Sequence, residues 1–351
     1  MKKIIIAVSM ALLLAASAVS ASAFDDMPND WSTAALQSAV DNGLLKGSDN
    51  KLNPKNSLTR AEMATILVRA LGATETADIS QFTDVPKDAW YHSAMATSYK
   101  MGIFKGDGAG KMNPNAKITR QEAFVVLARA FNLKASTTSA LEKFSDANKV
   151  AAWAKPEIEA LVANGYVGGS GGVLNPLSSI TRAEFSQVMY NLNKAYVDDL
   201  VGLNSLGTVN GNVIIRGNAI NTIQNVTING DLIIGDGMPK AMTFTNVKIN
   251  GRLVIRTTGN ISFDGSAAEL VIAFDNTTVT RSTSSVISKI TKDPSFTNAF
   301  IKAESDTGSG SMPSVPSGPS TPSTPSTPST PSTPSTPSVP EKEEDIWTDF
   351  H

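Results

Sequence analysis

The segment Leu-Thr-Arg-Ala-Glu-Met-Ala-Thr-Ile-Leu-Val-Arg-Ala-Leu, at residues 58–71, decides the fold of the first half of the chain. It opens with Thr59-x-x-Glu62, the pattern of a helix capping box, and continues with apolar residues at helical spacing. Residues 118–131 and 180–193 repeat the Thr-Arg-x-Glu pattern and the apolar face that follows it. The sequence therefore predicts the same amphipathic helix three times, at intervals of about 60 residues.

Five motifs recur in the same order in each copy of this repeat: Phe-x-Asp, a tryptophan, Gly-x-x-x-Gly, Asn-Pro and Thr-Arg-x-Glu. They place equivalent residues at Asp26, Asp84 and Asp146, at Trp31, Trp90 and Trp153, at Gly47, Gly106 and Gly169, and at Arg60, Arg120 and Arg182. Each copy predicts two helices joined by an extended Asn-Pro segment. In the first copy, helix one is predicted to include Trp31 and to end at Gly43. One helix pair cannot bury its apolar face alone, so the three pairs are predicted to share a core.

The arginine after each threonine is not required by a capping box, yet it recurs as Arg60, Arg120 and Arg182. A guanidinium beside the unpaired amides of a helix N-terminus suits a carboxylate or a phosphate. The alternative is an ion pair between copies, with Asp26, Asp84 or Asp146 as the partner. The three tryptophans also have two open roles, in the shared core or stacked on a sugar ring.

From about residue 200 the pattern becomes that of β-strands. Apolar runs at residues 213–215, 232–234 and 253–255 each follow an Asn-Gly pair. Their spacing of 19 to 21 residues indicates the coils of a parallel β-solenoid. Antiparallel hairpins are the alternative, because Asn-Gly also favours a tight hairpin turn. The near-constant length of the whole strand-turn-strand unit favours the solenoid.

Both ends of the chain predict segments outside these folded parts. Residues 1–23 have Lys2 and Lys3 before a short apolar run and small residues at the end, which is typical of a cleaved export signal; an uncleaved anchor is the alternative. Residues 304–340 are rich in Ser, Thr and Pro and predict a disordered, extended linker, and residues 341–351 form an acidic tail that is a candidate docking peptide for a protein partner.

The predicted fold class is therefore multi-domain. An α-helical repeat domain is followed by a small all-β, solenoid-like domain and a disordered tail. The predicted boundaries are 1–23 for the signal peptide, 24–78, 79–138 and 139–199 for the repeats, 200–303 for the β domain, and 304–340 and 341–351 for the linker and tail.

Composition excludes several classes of function. The formal net charge is −2, and removal of two lysines with the signal peptide makes it −4, so bulk nucleic-acid binding is not expected. The chain has no cysteine, which excludes disulfides and thiolate chemistry. Its two histidines, His92 and His351, lie far apart in sequence. No metal, no cofactor and no membrane span in the mature chain are predicted.

Residues 24 to about 195 resemble three consecutive S-layer homology repeats, on the five motifs given above. The resemblance implies a pseudo-threefold helical assembly with ligand grooves between repeats. It also implies binding to secondary cell-wall polysaccharide that bears pyruvylated N-acetylmannosamine and is attached to peptidoglycan. The resemblance further implies that the twelve equivalent Asp, Trp, Gly and Arg residues named above bind the ligand, and that the arginines face the ketal carboxylate. The second copy departs by Gln121, and the third has extra residues before Trp153 and Gly168 where the others have lysine, so the third copy is expected to give the weakest site.

The leading functional hypothesis is a secreted, non-catalytic protein anchored at the cell wall or surface. One alternative is a polysaccharide-active enzyme that uses the solenoid, whose acidic residues are Asp231, Asp236, Asp264, Glu269 and Asp275. No two of these form a recognisable acid–base pair by spacing. The other alternative is a subunit of an S-layer lattice.

Overall fold

The structure is a computed structural model that describes residues 24–135, 139–199, 202, 206–273 and 277–292. The predicted signal peptide, the Ser/Thr/Pro linker, the acidic tail and the last residues assigned to the β domain lie outside these ranges. In the part described, no helix has both the length and the apolar character needed to cross a membrane.

The described part of the repeat region forms six α-helices, two for each copy. They are α1 (Thr33–Asp41), α2 (Arg60–Ala70), α3 (His92–Lys100), α4 (Arg120–Ala130), α5 (Lys155–Ala163) and α6 (Arg182–Leu192). The glycine after each first helix has a positive φ, as predicted for Gly43. The prediction that the first helix includes Trp31 is wrong, because α1 begins at Thr33, after the N-cap residue Ser32. The extra residues of the third copy form short 3-10 turns before α5.

All three predicted capping boxes are confirmed at the N-termini of α2, α4 and α6. In α2 the Glu62 amide donates to Thr59 Oγ1 at 3.1 Å, and the Thr59 amide donates to Glu62 Oε2 at 2.7 Å. The same reciprocal pair forms in the other two copies. Two otherwise unpaired groups are thus satisfied at each helix start, which fixes where the helix begins.

The three copies close into a ring, which confirms the predicted pseudo-threefold arrangement. The second helix of each copy packs on the first helix of the next, as α2 on α3, α4 on α5 and α6 on α1. At the centre, the amide of Leu58 donates to the carbonyl of Ile180, Ile180 donates to Ile118, and Ile118 donates to Leu58, at 2.9 to 3.0 Å. Each copy therefore completes the core of its neighbour.

The β region is a parallel solenoid, so the solenoid prediction is confirmed and the hairpin alternative is wrong. Every strand pairing in the described part is parallel. The strands are β1 (Ala195–Val197), β2 (Thr208–Asn210), β3 (Val213–Ile215), β4 (Thr222–Gln224), β5 (Thr227–Asn229), β6 (Leu232–Ile234), β7 (Ala241–Thr245), β8 (Lys248–Ile255), β9 (Gly259–Asp264), β10 (Ala267–Ala273), β11 (Thr277–Arg281) and β12 (Val286–Lys292). One sheet has the order β1-β3-β6-β8-β10-β12, with β2 and β5 paired beside it, and the other has the order β11-β9-β7-β4. The sheet begins at Ala195, inside the range that the sequence assigned to the third repeat, because β1 pairs with β3.

The solenoid and the helical ring share one apolar core. Strands β3 and β6 are buried at all three positions, as are the last three residues of β8. Alternate side chains fill the solenoid, while Ile214, Ile233 and Val254 point outward and join the core of the helices. These three residues are direct cross-strand neighbours, so they form one apolar row against the helical ring.

Polar contacts beside this row attach the solenoid to the C-terminal ends of the helices. Three solenoid arginines each pair with an aspartate and donate to backbone carbonyls at, or just after, the C-terminal ends of helices, where carbonyls lack the intrahelical partners of the helix interior. The pairs are Arg216–Asp198, Arg252–Asp231 and Arg256–Asp236, at 2.6 to 2.8 Å. The acceptor carbonyls belong to Asn42, Arg69, Met101, Ala130, Phe131 and Asn132. A cation at a helix C-terminus also interacts favourably with the helix dipole.

Candidate functional site: grooves between the repeats

The arginine of each Thr-Arg-x-Glu motif reaches across to the next copy in the ring. Its Nε donates to the carbonyl two residues before the Asn-Pro proline of that copy, and its Nη1 pairs with that copy's capping-box glutamate. The Nε bonds are Arg60 to Met112 at 2.9 Å, Arg120 to Leu174 at 2.8 Å and Arg182 to Leu52 at 2.7 Å. The ion pairs are Arg60–Glu122 at 3.5 Å, Arg120–Glu184 at 2.7 Å and Arg182–Glu62 at 3.4 Å.

The motif aspartates do not form ion pairs with these arginines. The Asp84 carboxylate instead accepts the backbone N–H groups of Met112 and Asn113, at 2.9 and 2.7 Å. Asp26 and Asp146 accept the equivalent amides in the other copies. The alternative of an ion pair between copies is therefore confirmed for the contact itself, but the predicted aspartate partner is wrong. The acidic partner is the capping-box glutamate of the next copy. Each aspartate therefore accepts backbone amides at the Asn-Pro segment of its own copy. The arginine of the previous copy donates to a backbone carbonyl of the same segment.

The second glycine of each Gly-x-x-x-Gly packs beneath the phenylalanine of Phe-x-Asp. A Cβ at Gly47 would overlap the Phe24 ring, and one at Gly106 would overlap the Phe82 ring. A Cβ at Gly169 would lie 2.6 Å from the Phe144 ring. This contact gives these glycines a packing role within each copy and leaves the adjoining turn at the edge of the groove.

The tryptophans divide into two environments. Trp31 is 61% exposed and Trp90 is 67% exposed, whereas Trp153 is half-buried and packs against the helical core. An exposed indole contributes little to a core, because most of its surface stays in water. Two of the three tryptophans are therefore available to an external ligand.

Residues of all three copies line the groove beside Arg120, which we call the groove of Arg120. A cavity of about 510 Å³ lies there, with Trp31 from the first copy, Arg120 from the second, and Gly169 and helix α6 from the third. Its other lining residues are Phe124, Tyr166, Val167, Gly168, Ser170, Glu184, Gln187, Val188 and Asn191. A binding site here thus depends on the closed ring and is absent from any single repeat.

The charged side chains in the grooves are largely buried. Burial lowers the pKa of Arg60, while Glu122 opposes the shift, and burial likewise lowers the pKa of Arg182 against Glu62. Burial would raise the pKa of Asp146, but hydrogen bonds from the Leu174 and Asn175 amides bring it below the ordinary value. Arg60, Arg182 and Asp146 therefore remain charged at neutral pH.

A family model described as S-layer homology domain matches residues 23–64, 81–124 and 143–186. The chain carries three S-layer homology domains. These SLH domains coincide with the three copies of the ring, including the motif arginine of each one. SLH domains bind cell-wall polymers and anchor proteins at the cell surface, so they indicate a location at the cell surface or in the cell wall.

Curated proteins similar to this chain include surface-layer proteins and enzymes. The Surface-layer 125 kDa protein of Lysinibacillus sphaericus is 39% identical over 186 residues, which are 52% of this chain and 16% of that protein. The S-layer protein of Bacillus licheniformis is 28% identical over 258 residues, 69% of this chain and 29% of that protein. Exoglucanase XynX of Acetivibrio thermocellus is 29% identical over 174 residues, 48% of this chain and 16% of that protein. This chain therefore spans less than a third of the length of these relatives.

Those acidic side chains of the solenoid that the structure describes each have a separate partner. Asp231 and Asp236 are paired with Arg252 and Arg256 at the junction with the SLH ring. Asp264 is exposed and accepts a hydrogen bond from Ser284. The Glu269 side chain and Asp275 lie outside the described parts. Across the described residues there is also no cluster of three or more His, Cys, Asp or Glu side chains that fits a metal ion.

Sequence reasoning missed several groove residues. It read Glu62, Glu122 and Glu184 as helix caps only, although each also holds the arginine of the preceding SLH domain. It also missed Tyr166 and Asn191 on the cavity wall. The recurrence of Glu next to a helix start was a signal for the first group. No repeated pattern marks the second group, because their position follows from the ring.

Proposed function

We propose that this protein is a non-catalytic surface anchor that binds a pyruvylated secondary cell-wall polysaccharide through its SLH grooves. The observation that carries the proposal is the cyclic recurrence of a buried, charged arginine at each junction between SLH domains. The three arginines have side chains only 9 to 12% exposed. A guanidinium in such a setting binds a carboxylate by short, charge-assisted hydrogen bonds.

The chemistry of the groove also fits the rest of such a sugar. The exposed indole of Trp31 lies in the same cavity as Arg120, so a flat apolar sugar face and its carboxylate meet complementary groups together. Cavities of a few hundred cubic ångströms are the usual size for small-molecule sites. A ketal carboxylate on a hexose supplies both the charge and the ring.

Sedimentation with purified walls tests the proposal. We expect the full chain to bind intact walls and to lose binding when the secondary polymer is removed chemically. Binding should also weaken as salt is raised, because salt screens the carboxylate–arginine attraction. Equal binding to bare peptidoglycan would refute the polysaccharide assignment.

The variant for this assay should spare the structural bonds of the arginines. The double variant Trp31→Ala/Trp90→Ala removes two exposed indoles, and we expect at least a tenfold loss of affinity for walls. Leu177→Ala is a matched control, because Leu177 is also exposed, at 59%, and lies outside the cavity lining. The control should stay within twofold of the unmodified protein.

A lattice subunit is a second candidate, favoured by the match to the S-layer protein of Bacillus licheniformis. That match covers more of this chain than residues 1–199 make up, so it extends into the solenoid. Ordered sheets seen by electron microscopy of the purified chain would support this function. A monodisperse monomer at high concentration would argue against it.

A further inference from the structure

The Nη2 atom of the motif arginine has different hydrogen-bond partners in the three SLH grooves. Arg60 Nη2 donates to the carbonyl of Lys105 at 3.4 Å, and Arg182 Nη2 donates to the carbonyl of Lys46 at 3.1 Å. The equivalent residue for Arg120 is Gly168. Within the described residues, Arg120 donates through Nε and Nη1 alone, and its Nη2 has no protein acceptor.

The Arg120 side chain lines the cavity, so a ligand in the cavity can reach it. The side chain is 12% exposed, and among the described residues Nη2 is not one of the fully buried atoms that lack a hydrogen-bond partner, so Nη2 remains in contact with water. A carboxylate that replaces this water makes a charge-assisted hydrogen bond without breaking a bond within the protein. A ligand carboxylate that accepts this N–H therefore gains a bond that the protein does not already make.

The space next to this nitrogen suits a sugar ring. The cavity of about 510 Å³ is lined by Arg120, Trp31 and Tyr166, which place a cation beside two aromatic side chains. Gly168 has no side chain to fill the opening, and a Cβ built on it would meet nothing within 4 Å. The groove is open at the position where the other two carry lysine.

Building on the proposed function, we infer that the groove of Arg120 is the high-affinity site for the acidic sugar. Its Nη2 takes the carboxylate directly, and the apolar face of the sugar lies on Trp31. In the grooves of Arg60 and Arg182 the ligand has to displace a lysine carbonyl first, so binding there is weaker. The ranking keeps Arg182 of the third copy among the weaker sites, as expected, but Gly168 and Gly169 of that copy belong to the groove of Arg120.

A titration followed by NMR tests the ranking on the full chain. The probe is a glycoside of pyruvylated N-acetylmannosamine, and the signals are the indole N–H groups of the four tryptophans. Trp31→Phe and Trp90→Phe variants assign the two relevant signals. We expect the Trp31 signal to shift at probe concentrations at least tenfold lower than the Trp90 signal.

Matched single variants give a second readout. Trp31 and Trp90 occupy the same motif position and are similarly exposed, so both alanine variants should fold with unchanged melting temperature. We expect Trp31→Ala to weaken probe binding at least tenfold and Trp90→Ala less than threefold. Equal losses, or a Trp90 signal that shifts first, would overturn the ranking while leaving the proposed function intact. An unmodified protein that does not bind the probe would refute the pyruvylated-sugar assignment, and the ranking with it.

Discussion

Substitution of Arg256 is the sharpest test of how the contacts between the SLH ring and the solenoid stabilise the protein. Its Nε pairs with Asp236 Oδ2 at 2.8 Å, and its side chain is 1% exposed. Nη1 donates to the Ala130 carbonyl at 3.1 Å and Nη2 to the Met101 carbonyl at 3.2 Å. One side chain, on the residue directly after β8, therefore contacts the C-terminal ends of α3 and α4.

Arg256→Met should destabilise the protein strongly. Methionine keeps most of the apolar stem, so packing loss is small, but Asp236 and two helix-end carbonyls lose their charged donor. Removing one partner of a buried ion pair typically costs about 3–5 kcal/mol. We expect a loss in this range at pH 7, measured by urea unfolding followed by circular dichroism.

The loss should depend on pH. Burial raises the pKa of Asp236 above its ordinary value of 3.8, and Arg256 opposes that shift. A raised pKa means that the folded state holds the proton more tightly, so this group's contribution to stability falls as pH rises above 3.8. Without Arg256 the pKa of Asp236 rises further, and the penalty for ionising it grows. The difference between Arg256→Met and the unmodified protein should therefore be smaller at pH 4 than at pH 7.

Two further variants separate charge burial from simple loss of contact. Arg256→Met/Asp236→Asn removes both charges and should recover a large part of the stability at pH 7. Arg281→Met is the control, because Arg281 is an exposed arginine of the same domain, and its loss should stay within about 0.5 kcal/mol. A loss below about 1 kcal/mol for Arg256→Met, or an equal loss at both pH values, would refute the reasoning.

Three other predictions concern the shared core, the caps and the glycines. Ile233→Ala should cost about 2–5 kcal/mol, and because Ile233 belongs to the core of the helices, amide exchange should rise in the SLH ring as well as in the solenoid. Thr119→Ala should cost about 0.5–2 kcal/mol in thermal or urea unfolding, since it removes the acceptor of the Glu122 amide, and an unchanged stability would contradict the cap. Gly106→Ala should cost about 1–3 kcal/mol because the new methyl group overlaps Phe82, whereas Gly168→Ala enters open space and should stay within about 0.5 kcal/mol in the same unfolding assay.

The sequence predicted what local chemistry determines. A capping box uses groups three residues apart, so Thr59 and Glu62 were enough to place the start of α2. The period of the β region likewise predicted its parallel coils. The grooves were harder, because Arg120, Gly169 and Trp31 come from three different copies and meet only in the closed ring. Motifs aligned within one copy do not show which neighbour completes each site.

The docking of the solenoid was not predicted, although the sequence contains a signal for it. A strand with one wet face alternates apolar and polar residues, whereas residues 213–215 are apolar at all three positions, as expected of a strand buried on both faces. One face fills the solenoid, so the middle residue, Ile214, needed a second partner. The runs at 232–234 and 253–255 repeat the pattern. The sequence could not say that this partner is the SLH ring, since the contact joins residues far apart along the chain.

Helix α4 shows how the two halves of the protein act on each other. Its first residue, Arg120, lies in the candidate high-affinity groove, and the carbonyl of its last residue, Ala130, accepts a hydrogen bond from Arg256 of the solenoid. Eleven helical residues span about 16 Å, so a single rigid element joins the two contacts. Because α4 is also buried along most of its length, motion between the groove and the solenoid would require breaking the shared core. The solenoid is therefore held in a fixed orientation relative to whatever the groove binds.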